Sequence, residues 1–581
     1  MARTAAPSPK KLHAAALTPA SVVLAWRAVP GAASYVVFRD GKRLGVTAHT
    51  RFNDKKVKPG QRHRYKVRAR DRKHRWVGTL SRSILVTVPK PVVSPTPSPP
   101  TPPVPVPGSN LPPVGGTTPP PADTGVPLTA AMVTRLFWRA GFGPSATDLT
   151  TWTGKSVESL VDHFLDTPQT LAATATPPKT QSGAAIDPLA SDDDLVMEWL
   201  DHMQRAQNPF IERLTFFWHR HFAISRAEGI PAQWLLTYRN RLRSYGDLAA
   251  NPNATFRDLA LDMTTKDGAM SYFLTLCYNQ KGQVNENYAR EFMELFCLGV
   301  TDAQGNPNYS QTDVGELAKA FTGWRLDQQP ANPTYGSVSF GGSSYFDSST
   351  KTILGQTANF GAAQAVDLVI SQPSHAPFLV RKLWGEFVTG PIPQATLDSL
   401  SAAYVSSGFK LRPLLKGILT HSQLFSSIDE PDMIKPPLVL VVGILRAYDV
   451  PMRWFWIPDV MNDMQQRPYS PPNVAGWEGG LAWLNTNTAQ ARFELALRTL
   501  YLKHRGYSGV TNPPADVAGE TPLQAFDRAY AAVGSPWLSP GAATAIKTMA
   551  SGMAANSAAA RAQRQYALRA YLLAGPDAQV M

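Results

Sequence analysis

The chain has 581 residues, 43% of them hydrophobic, and only two cysteines, Cys277 and Cys297. This length allows several domains, two cysteines are too few for a disulfide scaffold, and no apolar run is long enough for a transmembrane helix. The formal net charge of +14 is unevenly distributed, because residues 1–88 hold 20 Lys and Arg against three Asp. The rest of the chain is weakly acidic, so a polyanion is expected to bind the first 88 residues.

Residues 12–88 have the pattern of a β-sandwich. Val22 to Trp26 is typical of a strand, and Asp40-Gly41 lies between two further apolar runs as a hairpin signal. Tyr65 to Ala69 alternates apolar and basic residues, which predicts a strand with one buried face and one strongly positive face. The basic positions of that strand are Arg62, Arg64, Lys66, Arg68 and Arg70.

This region resembles a fibronectin type III domain. The resemblance rests on Leu24-Ala25-Trp26, on Tyr35 to Gly41, and on Pro59-Gly60 ahead of the alternating strand. His63 stands where this family usually has its corner tyrosine, which implies a looser corner. Such domains are usually spacers or binding modules, so the resemblance implies a non-catalytic adaptor.

A proline-rich linker follows the β-rich region. Residues 89–127 contain 16 prolines in 39 positions and only two charged residues, Lys90 and Asp123. This composition predicts an extended polyproline II segment without a core. We therefore predict three parts: a basic module at 1–88, a disordered linker at 89–127 and a helical domain at 128–581.

Apolar residues at helical spacing dominate from Leu128 onward. Only Pro333–Leu354 indicates a small β-excursion within this mainly α fold. The predicted helices are 130–139, 156–165, 193–207, 210–222, 233–248, 256–263, 287–298, 313–321, 363–371, 376–388, 397–406, 411–419, 437–447, 489–502 and 558–573. Both cysteines lie in apolar helical surroundings, which favours buried thiols over a single bridge.

The segment from Asn285 to Phe296 concentrates carboxylates, amides and a guanidinium. On a helical wheel, Glu286, Asn287, Arg290, Glu291 and Glu294 fall within one arc of about 140°. One interpretation is a solvated face with Glu286–Arg290 and Arg290–Glu294 ion pairs. The other is a cleft in which paired carboxylates exchange protons. The spacing alone does not choose between them.

Two histidines follow Trp218. On a helix, His219 and His221 would point about 200° apart and would not share a metal ion. Their aromatic neighbours favour structural histidines bonded to backbone or carboxylate groups; a role for one as acid or base is the alternative. No metal site and no cofactor are predicted.

A rigid loop follows the double proline at 471–472. Its Trp477, with Trp483, Asn485 and Asn487 farther along the chain, is typical of an aromatic and amide wall for sugars. The other interpretation is an ordered loop whose tryptophan fills the core. No nucleophile elbow, phosphate-binding loop, dinucleotide fingerprint or zincin motif is present.

Several of these segments resemble the bacterial family of domain of unknown function 1800, in order and spacing over about 130–500. They are Arg139 to Pro144, Phe217 to Ala223, Asn285 to Phe296, Ala320 to Trp324, Lys351 to Gly355, Lys382 to Trp384, Pro471 to Trp477 and Trp483 to Asn485. The resemblance implies a large helical fold and a secreted or envelope-associated protein, without a known reaction. Phe346 replaces a frequent histidine of the family, and Gln465 replaces a glycine before Gln466.

The interpretation favoured by these features is a polysaccharide-active enzyme, a glycoside hydrolase or another carbohydrate-active type, tethered to anionic polymer by its basic module. The alternative is a non-enzymatic cell-surface binding or assembly protein. We expect an extracellular or envelope location, as the family resemblance implies. No signal peptide is visible in the sequence, so a cytoplasmic location is the alternative. Nucleic acid is a candidate partner only for the basic module. The predicted catalytic residues are Glu286, Arg290, Glu291, Glu294 and His219, and the predicted substrate-binding residues are Asn287, His221, Trp324, Asp347, Asn473, Trp477 and Asn485.

Overall fold

Antiparallel strands occupy the first part of the chain and helices dominate the rest. The computed structural model describes residues 9, 12–18, 21–26, 28–73, 75–77, 79–81, 83–88, 127–172, 178–180, 183–448, 452, 456–504 and 516–581. The chain divides into two units, 1–113 and 114–581. The predicted fold class, mainly α with an N-terminal all-β region, is confirmed. Apart from Pro127, the predicted linker lies outside the described residues, so its boundaries stay a prediction.

Two antiparallel sheets form the N-terminal unit. The strands are β1 (His13–Thr18), β2 (Ser21–Ala25), β3 (Ser34–Arg39), β4 (Lys42–Thr47), β5 (Arg51–Asp54), β6 (Arg62–Arg70), β7 (Trp76–Val77) and β8 (Ile84–Thr87). One sheet has the order β1-β2-β5, and in the other β6 pairs with β3 along one edge and with β7 and β8 along the other. Trp26, Tyr35, Tyr65 and Val67 belong to its buried core.

The described part of the second unit contains twenty α-helices. They are α1 (Ala130–Arg139), α2 (Ala146–Trp152), α3 (Val157–Asp166), α4 (Asp192–Arg205), α5 (Pro209–His221), α6 (Ala232–Gly246), α7 (Phe256–Thr265), α8 (Gly268–Phe273), α9 (Asn287–Glu291), α10 (Gln311–Ala320), α11 (Ala362–Ile370), α12 (His375–Phe387), α13 (Gln394–Ser406), α14 (Leu411–Leu419), α15 (Pro437–Tyr448), α16 (Ile457–Asp463), α17 (Thr486–His504), α18 (Pro522–Ala532), α19 (Pro540–Gly552) and α20 (Ala558–Ala574).

Two short hairpins interrupt the helices. They are formed by β9 (Trp324–Leu326) with β10 (Val338–Phe340), and by β11 (Lys351–Ile353) with β12 (Gln356–Ala358). They overlap the predicted β-excursion and extend beyond it at both ends. Short 3-10 turns lie at Arg226–Glu228, Leu276–Tyr278, Ser422–Phe425, Gly480–Trp483 and Pro576–Gln579.

One apolar core extends through the helical unit and includes both ends of its helix sequence, from Val133 in α1 to Leu573 in α20. Cys277 and Cys297 are buried and free, as the apolar surroundings predict. Within the described residues, no helix combines the length and the apolarity needed to cross a bilayer.

Candidate functional site

The segment that carries the predicted carboxylates is not a uniform α-helix. After α9 the chain continues as a π-helix at Phe292–Cys297, in which Leu298 N–H donates to Met293 O at 2.8 Å. Tyr288, Phe292 and Phe296 are buried as the periodicity predicts. A π-helical turn is wider than an α-helical turn. The side chains that follow Glu291 therefore leave the arc that was predicted for an α-helix with 3.6 residues per turn. Single π-turns inside helices are frequent at functional sites.

The change of helix type alters the predicted ion pairs. Arg290 Nη2 lies 3.1 Å from Glu286 Oε2, as predicted for the i,i+4 pair. Gln311 joins them, donating to Glu286 Oε2 at 2.7 Å and accepting from Arg290 at 2.9 Å. The expected Arg290–Glu294 pair is absent from the ion pairs of the described residues. Instead, Tyr309 Oη approaches Glu294 Oε2 at 3.4 Å.

Glu291 and Glu294 are both half-buried and interact electrostatically. Burial raises the pKa of Glu291, the negative charge of Glu294 raises it further, and Arg290 acts in the opposite direction. A carboxyl group with a raised pKa beside a second carboxyl group has the character of a general acid. This pair has the electrostatics that the cleft interpretation needs.

Asn287 helps to shape the start of α9. Its N–H donates to Asn285 Oδ1 at 3.0 Å, and its own amide donates to Leu274 O at 3.2 Å. Asn285 in turn donates to Thr275 Oγ1 at 3.0 Å. These amides hold the loop before α9, and a substrate-binding role of Asn287 stays a prediction.

Three side chains from distant helices hold the end of the π-helix. Lys382 Nζ donates to Leu295 O at 2.7 Å, His221 Nε2 to Phe296 O at 3.0 Å, and His375 Nδ1 to Cys297 O at 3.0 Å. The last carbonyls of a helix lack partners within the helix, and cations or N–H donors stabilise them. His221 therefore has a structural position, at the C-terminus of the segment that carries Glu291 and Glu294.

His219 lies in a second aromatic cluster. Its Nε2 accepts the N–H of Tyr469 at 2.9 Å, and its Nδ1 lies 3.0 Å from the hydroxyl of Tyr238. The ring of Trp477 is 5.5 Å away, centroid to centroid. Burial lowers the pKa of His219 to about 3, so the imidazole is neutral. His219 therefore packs against Trp477 in the core, and its role as an acid or base stays a prediction.

The loop before Trp477 is a tight turn built by Asn473 and Gly476. Asn473 Oδ1 accepts from Ala475 N–H at 2.9 Å, and Gly476 N–H donates to Asn473 O at 3.1 Å. Gly476 has φ 85°, and a Cβ there would lie 2.6 Å from Arg220 O. Only glycine fits this close approach, which explains its place in the motif.

Trp477 also lines a cavity of about 520 Å³. The cavity combines two tryptophans with amide and charged side chains: Asn462, Gln465, Arg467, Asn473, Trp477, Glu478 and Trp483. Trp477 and Trp483 are only 6% and 3% exposed, so both indoles are largely packed into the core. Of the described residues that line it, Asn473, Trp477 and Trp483 were singled out from the sequence. Neither Glu291 nor His219 is among its lining residues.

Gln465 reaches this cavity from an unusual backbone conformation. Its φ of 65° is left-handed, and glycine adopts this conformation without cost. This accounts for the glycine that the family usually has at the position. The replacement of this glycine by Gln465 was a sequence signal for the cavity. The lining residues Asn462, Arg467 and Glu478 were not predicted from the sequence.

The remaining predicted residues lie in local structural arrangements. Asp347 Oδ1 accepts from Ser349 N–H at 2.9 Å, and Trp324 packs on Phe340 with ring centroids 5.4 Å apart. Asn485 Oδ1 accepts from the N–H groups of Asn487 and Thr488 at 3.1 Å, and it does not line the cavity among the described residues. Substrate roles for Trp324, Asp347 and Asn485 stay predictions.

The N-terminal unit presents a basic sheet face, defined as Arg62, Arg64, Lys66, Arg68 and Arg70 of β6 together with Trp76. The alternate residues Tyr65, Val67 and Ala69 are 0% exposed, so the basic side chains share the outer face. The guanidinium groups of Arg68 and Arg70 lie 4.6 and 4.2 Å from the Trp76 ring centroid. Asp40 is bonded to His63, which alternates with the basic residues along β6, at 2.6 Å.

Solved structures match the chain over small parts of its length. A fibronectin type III domain of human collagen alpha-1(XX) is 21% identical, covering 16% of this chain and 91% of that one, with a TM-score of 0.14. An Fn3-like protein from Clostridium thermocellum is 25% identical, covering 15% and 97%, with a TM-score of 0.13. The family 28 exopolygalacturonase of Yersinia enterocolitica is 18% identical with a TM-score of 0.14, and the match covers 14% of this chain and spans a fifth of the enzyme, 20%. These TM-scores are too low to carry a structural argument.

No curated protein matches the chain. The family model described as "Protein of unknown function (DUF1800)" matches residues 135–580. This range holds α1 to α20 almost completely, with the π-helix, the Trp477 loop and both hairpins. The chain therefore belongs to the DUF1800 family.

Proposed function

We propose that this protein binds an anionic polysaccharide of the cell envelope through the basic sheet face of a fibronectin type III-like N-terminal module. The observation that carries the proposal is the row of five basic side chains on the outer side of one strand. Alternate residues of a strand lie about 6.8 Å apart, so the row extends over roughly 27 Å. Such a row suits an extended polymer with repeated negative charges.

The composition of the face favours a sugar polymer. Trp76 is 41% exposed and lies beside two arginines, so an apolar ring face accompanies the cationic groups. Aromatic faces with charged hydrogen-bond donors suit pyranose rings that carry carboxylates. The envelope location implied by family membership agrees with this partner, and nucleic acid is the alternative polyanion.

Replacing Arg64 and Lys66 together by glutamine is expected to weaken alginate binding by about tenfold at low salt. The slope of log affinity against log salt should fall by about 1.5 to 2, because about two counterions fewer are released. Affinity would be measured by calorimetry on the full chain at several salt concentrations, with neutral dextran and double-stranded DNA as comparison ligands.

The matched control is Arg51→Gln with Lys55→Gln, which removes the same charge from exposed positions outside β6. We expect the control to retain alginate affinity. Equal losses in both variants would show a net-charge effect without a binding face. Tighter binding of DNA than of alginate would favour the nucleic-acid alternative.

A second candidate function is acid–base hydrolysis of a polysaccharide by the helical unit. It is supported by the raised pKa of Glu291 beside Glu294 on the π-helical turn. Glu291 would act as the acid, and Glu294 or Glu286 as the second carboxylate.

Glu291→Gln is expected to abolish glycan turnover and leave the melting temperature unchanged within about 2 °C, because glutamine keeps the shape but cannot exchange the proton. Release of reducing ends from a panel of envelope polysaccharides would be measured beside thermal melts. Glu228→Gln, at an exposed turn, is the control. A destabilised Glu291→Gln protein, with no turnover by the wild type either, would support the structural interpretation of this segment.

A further inference from the structure

A second cavity of the helical unit, of about 440 Å³, lies between the first helix and the C-terminal helices. Its walls are largely apolar and aromatic, with Trp138, Tyr530 and Trp537 among them. Exposed residues such as Ala130 and Ala131 form its rim, so a ligand can enter from solvent. Lys435 lies in this wall although it is only 3% exposed.

Lys435 is buried without a carboxylate partner. Its Nζ donates to Ala578 O at 2.9 Å and lies 3.7 Å from the ring centroid of Trp138. No Asp or Glu of the described residues is at ion-pair distance from it. Lys351 is a contrasting buried lysine, because its Nζ has three oxygen acceptors at 2.7 to 3.0 Å.

The Arg139–Pro144 motif explains why the indole of Trp138 lies against this lysine. A Cβ on Gly143 would lie 2.8 Å from the Trp138 indole, and one on Gly443 would lie 2.5 Å from the same six-membered ring. Both glycines therefore allow the indole to sit in one fixed position. Gly143 belongs to the Arg139–Pro144 motif, which is characteristic of the family. Neither of the two candidate functions explains why the chain has this motif.

The surroundings of Lys435 favour the neutral amine. Burial, together with the smaller effect of the positive charge of Arg492, lowers the pKa of Lys435 to about 7. Arg492 Nη2 donates to the backbone carbonyl of Lys435 at 2.8 Å, so this charge is held close. Desolvation and a neighbouring cation are the two conditions that activate lysines as nucleophiles.

We propose that Lys435 is a nucleophilic amine that forms a Schiff base with an aldehyde or ketone whose apolar body fills this cavity. The Nζ lone pair forms a bond to the carbonyl carbon while the C=O π bond breaks, which gives a carbinolamine. The C–O bond then breaks, and the two amine hydrogens leave with the oxygen as water. No electron donor or acceptor is needed, and the hydroxyls of Thr134, Tyr530 and Ser535 in the cavity wall supply a path for the protons.

The test is reductive labelling of the intact chain with benzaldehyde and cyanoborohydride, followed by digestion and mass spectrometry. Near pH 7 about half of the Lys435 amines are neutral, whereas an ordinary lysine of pKa about 10.4 is neutral in fewer than about one molecule in a thousand. We expect Lys435 to be benzylated at least about tenfold faster than Lys281, which is exposed, or Lys351, whose Nζ has three hydrogen-bond acceptors.

Lys435→Arg should lose this adduct, and Lys382→Arg, which changes a buried lysine elsewhere, should keep it. If Lys435→Arg does not fold, the pH profile of the wild type decides. The labelling rate of Lys435 should reach half its maximum near neutrality, well below the pH at which an ordinary lysine of pKa about 10.4 would do so. Labelling of Lys435 no faster than that of Lys281, or only after denaturation, would overturn the proposal.

Discussion

Lowering the pH from about 7.5 to about 5 is expected to remove about 6 kcal/mol from the stability of the helical unit, through three buried histidines. His219, His221 and His375 are at most 5% exposed. Burial lowers the pKa of His219 to about 3 and that of His375 to about 4, and it lowers the pKa of His221 as well. Their contribution is complete above the unfolded pKa of about 6.5 and is lost as the pH falls below it.

The hydrogen bonds agree with neutral rings. His219 Nε2 accepts from a backbone N–H, and a proton on that nitrogen would face another donor. Burial also lowers the pKa of His163, His202 and His421. Asp267 and Glu291 have raised pKa values, so their protonation opposes part of the loss.

Urea denaturation at both pH values, followed by tryptophan fluorescence, measures the loss. His375→Gln isolates one histidine: the difference in stability between the two pH values should shrink by about 2 kcal/mol. Equal pH dependence in the variant and the wild type would show that His375 does not titrate differently on unfolding.

Glu386→Gln is expected to lower the free energy of unfolding by about 3 to 5 kcal/mol, because it removes the charge that compensates a buried arginine. Glu386 is 5% exposed, and its Oε1 lies 2.9 Å from Nη2 of Arg213, which is 0% exposed. Arg213 and Glu386 form an ion pair here, but the N–H group does not point at the carboxylate oxygen as it would in a hydrogen bond. Arg220 contacts the other carboxylate oxygen. Urea midpoints of both proteins, measured by fluorescence, give the change.

The matched control is Asp367→Asn, which breaks the exposed pair with Arg257. Exposed ion pairs contribute about 0 to 1 kcal/mol, so this variant should unfold near the wild-type midpoint. A loss below about 1 kcal/mol for Glu386→Gln would mean that water or another group solvates Arg213 when the carboxylate is gone.

Local signals predicted most long helices well. The helix Ala130–Arg139 agrees with its predicted bounds, since Thr129 caps its start and Ala140 ends it before the glycines. The short helices α2, α8 and α16 were missed, because one or two turns show too little periodicity. The longer helices α18 and α19 were missed as well. The π-helix was missed for a related reason: a wheel drawn at 100° per residue assumes the α-helical period.

The candidate site was predicted only in part. The sequence singled out Asn473, Trp477 and Trp483, which line one cavity, because their segments resemble motifs of the family. The burial of Lys435 beside Trp138 could not be predicted, since it depends on the packing of segments that are distant in the sequence. Whether the cluster of Glu286, Glu291 and Glu294 acts on a substrate stays a prediction.

The three side chains that hold the end of the π-helix also bear on how this region folds. Their contacts are separated by 75, 78 and 87 positions in sequence. A helix as short as α9 is not stable alone, and closing such long loops is slow. We therefore expect the segment from Asn285 to Phe296 to acquire its shape only after α5 and α12 have docked. Its amide hydrogens should then exchange with solvent through openings that separate those two helices.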